Sequence, residues 1–169
     1  FMDSGAFGKG SEPDFQKVFQ SYDWLLLSVR AHNAYIVMPD DYRNQEGSLA
    51  LLEEHKATVR RYIELGCEAI VPLQRGDLSL CEVYERVVEI LGTDCFRVGL
   101  PMAYEARHTQ EAIHAFLLNS RPSKVHFLGR SFYPLRKELE FYKAFTEFDA
   151  SADAAMVVNW TSSGKACGD

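Results

Sequence analysis

No run of apolar residues in this chain of 169 residues approaches the roughly 18 that a membrane-spanning helix needs. Basic residues are also in short supply, because 18 Lys and Arg stand against 24 Asp and Glu and leave a formal net charge of -6. That balance argues against a nucleic-acid binder that relies on overall charge, although it leaves room for a local basic patch. We therefore expect a soluble globular protein without a membrane partner.

Cysteine is scarce as well, with four residues at positions 67, 81, 95 and 167. They are too few for a disulfide scaffold and too widely spaced for a CxxC metal pair, which predicts reduced thiols and a cytoplasmic protein. The sequence has no HExxH pair, no GxSxG elbow and no Rossmann or P-loop fingerprint. We therefore expect no metal and no cofactor, and we expect the five histidines to fill core or surface roles.

Short strand-like runs alternate with longer amphipathic stretches, a pattern typical of βα units on a parallel sheet. The predicted strands are 1–6, 34–38, 69–73, 96–100, 124–128 and, more weakly, 154–159. Helices are predicted over 13–29, 48–65, 79–91, 109–120 and 135–148. Gly66 and Gly92 follow two of these helices, where a C-cap glycine belongs.

Two α/β architectures fit this alternation: an open doubly wound sheet and a (β/α)8 barrel of the TIM type. The first strand lacks a proper phosphate-binding loop after it, which favours the barrel. A barrel typically needs about 250 residues, so about six βα units predict a partial barrel whose front is missing. We expect one partial TIM-barrel catalytic domain over 1–169, which begins within the fold after an unseen segment.

Polar residues stand where the predicted strands end. The set comprises Asp3, Ser4, Asp40, Asp41, Gln74, Arg75, Gly99, Pro101, Gly129, Arg130, Asp149 and Asp153. In a barrel these positions meet on one face, where active sites of this fold lie. Carboxylates that meet there have pKa values pushed apart, which suits one to nucleophilic attack and another to acid–base work. Taken singly, each is also consistent with an Asx turn, a helix cap or a polar loop.

The ordered strand ends resemble a known family, the tRNA-guanine transglycosylases of the queuine and archaeosine type and their DNA-modifying relatives that insert 7-deazaguanines. The sequence Asp3-Ser4-Gly5-Ala6-Phe7 looks like the DSGGF or DSGAF signature of that family. The other similar segments are, in chain order, Val37-Met38-Pro39-Asp40, Val71-Pro72-Leu73-Gln74, Val98-Gly99-Leu100, Phe127-Leu128-Gly129 and Phe148-Asp149-Ala150-Ser151. The similarity extends over nearly the whole chain.

The resemblance implies a glycosyltransferase that exchanges guanine for a 7-deazaguanine base in a nucleic acid, either tRNA or DNA. It implies that Asp149 is the nucleophile, which forms a covalent aspartyl-ribosyl intermediate, and that Asp3 is the acid–base partner. The substrate-binding positions that it implies are Ser4, Gly5, Phe7, Asp40, Gln74, Gly99, Leu100 and Gly129. A buried polar group left unpaired by a wrong base costs about 1–3 kcal/mol, which is enough to discriminate between bases.

The chain also departs from the family pattern. Ala6 stands in place of a second glycine, and Arg75 follows Gln74 where a glycine is usual. No CxCxxC with a distal histidine follows Asp149, so we expect the zinc subdomain that helps to hold tRNA to be absent. These departures favour a divergent member that acts on DNA or a nucleoside.

Two other functions stay open. The first is a hydrolase that cleaves an N-glycosidic bond with the same carboxylates and uses water as the acceptor. The second is a non-catalytic binding subunit of a nucleic-acid modification complex. An unseen segment, a second copy of the chain or a partner subunit could supply the missing strands.

The barrel reading makes two predictions about position. Asp3, Asp40, Gln74, Gly99 and Asp149 should share one rim, with Asp153 as the nucleophile if the register slips. Basic residues should surround that rim and attract a phosphate backbone. The candidates are Arg75, Arg107, Arg130, Arg136 and Lys137.

Overall fold

The structure is a computed structural model that describes residues 1–3, 14–129, 132–144 and 146–153. Helices and strands alternate along these ranges. The helices are α1 (Phe15–Ser28), α2 (Gln45–Glu64), α3 (Leu80–Leu91), α4 (Gln110–Asn119) and α5 (Phe132–Lys143). The strands are β1 (Tyr35–Val37), β2 (Glu68–Pro72), β3 (Arg97–Pro101), β4 (Lys124–Leu128) and β5 (Asp149–Ala152). A short 3-10 helix, Ala31–Asn33, precedes β1.

The five strands form one parallel sheet in chain order, β1-β2-β3-β4-β5. Met2 extends the sheet beyond β1 through a parallel bridge to Ile36. The sheet is curled into a half-barrel. The curl brings the ring of Phe1 across the concave face, where it stacks on His126 of β4. The predicted mixed α/β fold with a parallel sheet is therefore confirmed in the form of a half-barrel.

Local sequence signals explain where the helices begin and end, and α3 illustrates them. Ser79 caps its first turn by accepting a hydrogen bond from the Glu82 amide, while the Glu82 side chain accepts one from the Ser79 amide. Such a capping box satisfies two amides that the helix itself leaves without partners. The helix ends at Leu91 and is capped by Gly92, whose φ of 65° lies in the left-handed region that favours glycine.

The core lies between the convex face of the sheet and the helices. Alternate strand residues, such as Val71, Leu100 and Phe127, point outwards and pack in this layer. Burial of each large apolar side chain contributes about 1.5–3 kcal/mol. The residues between them in sequence, such as Arg97 and His126, point to the concave face. The helices thus cover one face of the sheet and leave the other face for polar groups.

The end of the chain differs from the prediction. The predicted helix 135–148 begins earlier, at Phe132, and ends at Lys143. The last strand is Asp149–Ala152, whereas the predicted strand 154–159 lies outside the described residues. The sequence Asp-Ala-Ser-Ala has no β-branched or aromatic residue and so carries a weak strand signal. It pairs with β4 nevertheless, because small Ala150 and Ala152 fit against the helix layer.

Among the described residues, no helix has both the length and the apolar character that crossing a membrane requires.

Candidate functional site

The carboxyl edge of the sheet, where β1 to β5 end, carries a buried pair formed by Asp40 and Gln74. Gln74 Nε2 donates a hydrogen bond of 2.7 Å to Asp40 Oδ2. The Oε1 atom of the same amide accepts one of 3.1 Å from the Arg43 backbone N–H. Asp40 is 8% exposed and Gln74 only 2% exposed. The two predicted base-reading residues therefore lie together, and the Gln74 amide holds the Asp40 carboxylate in place.

Gln45, at the start of α2, fixes the loop that contains Gln74. Its Nε2 donates to the backbone carbonyls of Gln74 and Leu78, at 3.0 and 3.1 Å. Its Oε1 accepts a hydrogen bond of 2.9 Å from the Leu78 N–H. The loop after β2 is thus anchored to the neighbouring helix by a buried side chain, which holds the backbone at Gln74 rigidly.

Asp153 stands at the carboxyl edge directly after β5. Its Oδ1 accepts hydrogen bonds from the Gly129 N–H at 2.8 Å and from His126 Nε2 at 3.1 Å. Burial acts to raise the pKa of this carboxyl, but the hydrogen bonds from His126 and Gly129, together with electrostatic attraction to the His126 ring and the backbone N–H of Asp153 itself, hold the pKa below its ordinary value. Gly129 has a φ of 74°, and this left-handed turn lets its N–H face Asp153. Asp153 is therefore an ionised, oriented carboxylate.

His126 links Asp153 to the interior of the half-barrel. Its Nδ1 lies 2.9 Å from Ser151 Oγ, and Ser151 Oγ accepts a hydrogen bond of 3.2 Å from Arg97 Nη1. The sequence pattern predicted only a core or surface role for His126. The signal that identifies it is alternation along β4, because Lys124 and His126 are polar residues two apart and so point to the same face of the sheet.

The amino edge, where the strands begin, carries a separate cluster of charges. Arg97, which is 1% exposed, forms ion pairs with Glu68 and Asp149. Lys124 Nζ lies 2.7 Å from the other Glu68 oxygen. The Arg97 guanidinium holds the pKa of Asp149 below its usual range. Two cations and two anions therefore compensate one another at the base of the concave face.

The expectation that Asp149 stands on the rim is wrong. Asp149 begins β5 and pairs in register with Lys124, the first residue of β4, so it lies at the opposite end of the sheet from Asp40 and Gln74. The strand starts earlier than the sequence pattern indicated, and the residue that reaches the carboxyl edge is Asp153. The alternative register given above is the one that the structure adopts.

Asp3 lies at the same edge as Asp40. It follows Met2, which bridges to β1. The buried Tyr22 hydroxyl donates to the Val37 carbonyl at 2.6 Å. Burial raises the pKa of Tyr22, and the nearby charges of Asp3 and Asp40 raise it further. Both carboxylates are thus close enough to Tyr22 to interact with it electrostatically, which brings them to one part of the rim.

The other predicted substrate-binding residues lie at different distances from the carboxyl edge of the sheet. Gly99 lies within β3, between Pro72 and His126 in register, and its carbonyl accepts a hydrogen bond from the Leu73 N–H. The Leu100 side chain is buried between the sheet and the helices, so only the backbone of this residue faces the concave side of the sheet. Gly129 lies at the edge and contacts Asp153. Ser4, Gly5 and Phe7 lie outside the described residues.

Two of the predicted basic residues meet beside the carboxyl edge. Arg75 Nη1 donates to the Arg107 carbonyl at 3.4 Å, and the Arg107 guanidinium lies 5.1 Å from the centre of the Tyr104 ring. Tyr104 is 82% exposed. These three residues come from the loops after β2 and β3, and we call them the Arg–Tyr patch.

The remaining basic candidates do not join that patch by any described contact. Arg136 forms an ion pair with Glu140 one turn further along α5. Lys137 lines an apolar groove between α4 and α5, together with His114 and Phe141. Arg130 lies outside the described residues. Those of the predicted basic residues that the structure places at the rim therefore come from the loops after β2 and β3.

Comparison with known proteins assigns no family, because no family model and no curated protein matches this chain. Within the described ranges, no three His, Cys, Asp or Glu side chains are grouped so that they could hold a metal ion. The chemistry of the site therefore depends on the side chains at the carboxyl edge.

Proposed function

We propose that this protein is a glycosyltransferase of the tRNA-guanine transglycosylase type, built on part of a (β/α)8 barrel. In this proposal it exchanges guanine for a 7-deazaguanine base in a nucleic acid. The observation that carries the proposal is Asp153, a hydrogen-bonded carboxylate at the same edge of the sheet as Asp3 and Asp40. Retaining glycosyl transfer needs such a nucleophile together with a second carboxyl group that serves as acid and base.

Asp153 is the nucleophile in this mechanism, in place of Asp149. The two hydrogen bonds that Asp153 accepts from His126 and Gly129 both fall on Oδ1, so Oδ2 is the oxygen that attacks C1′ of the ribose. The C1′–Oδ2 bond forms while the C1′–N9 bond to guanine breaks, and Asp3 gives a proton to the departing base. The incoming base then returns its N9 proton to Asp3 and attacks C1′, which releases Asp153.

Asp40 reads the base. A fixed carboxylate accepts hydrogen bonds from both the N1–H and the C2 amine of guanine. Adenine has no donor at either of these two positions. Gln74 acts through Asp40, because its amide N–H already donates to that carboxylate. A base that leaves Asp40 without hydrogen-bond donors is disfavoured by about 1–3 kcal/mol.

The Arg–Tyr patch supports a nucleic acid as the partner. Arginine attracts phosphate groups, and an exposed tyrosine offers a stacking surface for an unpaired base. The patch supplies this attraction locally, although the chain carries a net charge of -6. An extruded or single-stranded guanosine is the substrate form that this arrangement favours.

The test is incorporation of labelled guanine into a polymer. The full chain is incubated with labelled guanine and either tRNA or DNA, and the polymer is separated and counted. Covalent protein–polymer adducts are trapped on a denaturing gel. We expect incorporation by the wild type, none by Asp153→Asn, and retention of adduct formation by the matched variant Asp149→Asn.

The outcomes separate the candidate functions. Loss of adduct in Asp149→Asn with retention in Asp153→Asn would overturn the assignment of the nucleophile. Release of free guanine from the polymer without incorporation would indicate the hydrolase. Binding of the polymer with neither reaction would indicate a non-catalytic subunit.

A further inference from the structure

The hydrogen bonds from Arg97 to Asp153 have a fixed direction. A guanidinium only donates, so Ser151 Oγ accepts from Arg97. The carboxylate oxygen Asp153 Oδ1 can only accept, so His126 Nε2 carries the proton of the hydrogen bond that joins them. In a neutral ring Nδ1 is then the acceptor, and the Ser151 hydroxyl hydrogen donates to it across 2.9 Å. Arg97 therefore donates to Ser151, Ser151 to His126 and His126 to Asp153, in order from the amino edge of the sheet to its carboxyl edge.

We propose that His126 is a positioning residue for the nucleophile, held by Arg97 and Ser151 as the neutral Nε2–H tautomer so that it orients Asp153 for attack. This inference rests on the proposed function, since it assigns a partner to the carboxylate that attacks the sugar. His126 itself touches neither the base nor the ribose in this mechanism. It acts through Asp153 Oδ1 and leaves Oδ2 to react.

The surroundings of His126 hold the ring in this orientation. The Phe1 ring stacks on the imidazole with centroids 5.4 Å apart and planes inclined by 16°. Gly99, the residue beside His126 on β3, has no side chain to displace it. The ring is thus held by stacking on its face and by hydrogen bonds at both nitrogen atoms, which leaves it little freedom to rotate.

Charged groups face this series of hydrogen bonds from each neighbouring strand. Arg97 comes from β3, Glu68 from β2, and Lys124 from the amino end of β4 itself. Asp149 and Asp153 come from the two ends of β5, and Asp149 and Glu68 both pair with Arg97. The positive charge of Arg97 is therefore compensated by these two carboxylates.

Loss of the His126 hydrogen bond has a consequence for pH dependence. Burial acts to raise the pKa of Asp153, and the hydrogen bonds from His126 and Gly129 oppose that effect. Without the His126 donor, the pKa of Asp153 rises. The acid limb of a pH–rate profile, where the rate falls because the nucleophile becomes protonated, then moves to higher pH.

Nuclear magnetic resonance of the full-length wild-type protein tests this series of hydrogen bonds with a readout that does not depend on enzymatic activity. The ¹⁵N shifts of the His126 ring report its tautomer, and the ¹³Cγ shift of Asp153 reports its titration. We expect the neutral ring to be the Nε2–H tautomer and the titration midpoint of Asp153 to be low. A neutral Nδ1–H tautomer would overturn the proposal, whether or not the protein exchanges bases.

Variants test the positioning role. His126→Leu removes the donor, whereas His126→Gln keeps an amide N–H near the position of Nε2. In His126→Leu we expect the Asp153 midpoint and the acid limb to move to higher pH, and kcat to fall about 10- to 100-fold, a range typical of lost outer hydrogen-bond partners. The KM for guanine should not change, and His126→Gln should recover part of kcat.

Ser151 provides a second pair of variants. Ser151→Ala interrupts the chain and should reduce the population of the Nε2–H tautomer, while Ser151→Thr keeps the hydroxyl and should preserve it. An unchanged Asp153 midpoint in His126→Leu would overturn the positioning role. A wild-type protein that shows the expected tautomer but no base exchange would contradict the proposed function alone.

Discussion

Phe1 stacks on His126 across the concave face of the sheet, although three strands lie between them in the strand order. A flat sheet would hold these rings far apart, so the contact reports how strongly the sheet is curled. Aromatic pairs of this kind contribute about 0.5–1.5 kcal/mol beyond the area they bury. The contact ties the first described residues to β4 and encloses the side chains that lead to Asp153.

Replacement of Arg97 by methionine should destabilise the fold strongly. Arg97 is buried and pairs with Glu68 and Asp149, and loss of one partner of a buried ion cluster costs about 3–5 kcal/mol. Urea denaturation at pH 7 measures the change in the free energy of unfolding. The control is Arg86→Met, which breaks an exposed pair with Glu89 in α3 and should change stability by at most about 1 kcal/mol. Equal effects would contradict the central role of Arg97.

Asp149→Asn should have a smaller effect that depends on pH. Arg97 lowers the pKa of Asp149 in the folded state, so its ionised form stabilises the protein above the pKa of the unfolded chain. That contribution disappears as the pH falls through the folded pKa. At pH 7 we expect a loss of about 1 kcal/mol, because the side chain is largely exposed. Denaturation curves between pH 7 and pH 3 should show the variant approaching the wild type.

His108 should make stability depend on pH in a different range. Burial lowers the pKa of this imidazole, although the hydrogen bond that its Nε2 donates to the Leu73 carbonyl at 2.8 Å acts against that change. Below about pH 6.5 the unfolded chain binds a proton that the folded protein does not, so the free energy of unfolding falls as the pH is lowered through this region. His108→Gln, which keeps a donor for Leu73, should remove this part of the pH dependence.

Gly99→Ala should destabilise the sheet by crowding. An added Cβ would lie 3.0 Å from Ile70 Cγ2 and Leu128 Cδ1, and 3.1 Å from Pro72 Cα. Overpacking of this kind costs about 1–3 kcal/mol, which thermal denaturation can measure. The added variant Leu128→Ala should recover part of the loss, because it removes one of the contacting groups. A double-mutant cycle without coupling would indicate that the backbone, and not Leu128, resists the methyl group.

Tyr104→Ala should weaken binding of single-stranded nucleic acid. Stacking of one base on an aromatic side chain contributes about 1–3 kcal/mol, so the dissociation constant for an oligonucleotide should rise about 5-fold or more. Fluorescence anisotropy at two salt concentrations measures it, and affinity should fall with salt. Trp24→Ala is the matched control, since Trp24 is also an exposed aromatic residue but lies on α1. Equal losses in both variants would contradict the Arg–Tyr patch as the binding surface.

Much of the fold could be predicted because its strands carry strong local signals. The strands β1 to β4 are apolar runs that end at proline, glycine or polar residues, and each lies within about one or two residues of its predicted position. The proximity of Asp40 and Gln74 followed from a general rule, since parallel strands bring their carboxyl ends to one edge. Those predictions needed only the order of the elements.

The rest depended on contacts between distant residues. The boundary between α5 and β5 decides whether Asp149 or Asp153 reaches the carboxyl edge, and sequence patterns locate such boundaries poorly. His126 was not assigned to the site, because a histidine in an apolar strand is recognisable as a partner of Asp153 only when the register of β4 and β5 is known. Ser151 and Arg97 join the chain of hydrogen bonds for the same reason.

Arg97 belongs at once to the ion cluster at the amino edge and to the hydrogen-bond chain that ends at Asp153. In many proteins a buried ion cluster can be exchanged for well-packed apolar residues, and the result is often a more stable fold. Here such a redesign would also remove the donor that orders Ser151 and His126. A laboratory selection for heat resistance would therefore favour exchange of Arg97 together with Glu68 and Asp149 for apolar residues, while a selection for the proposed catalysis would retain arginine. This position is where adaptation of the protein to temperature and adaptation to its chemistry would conflict.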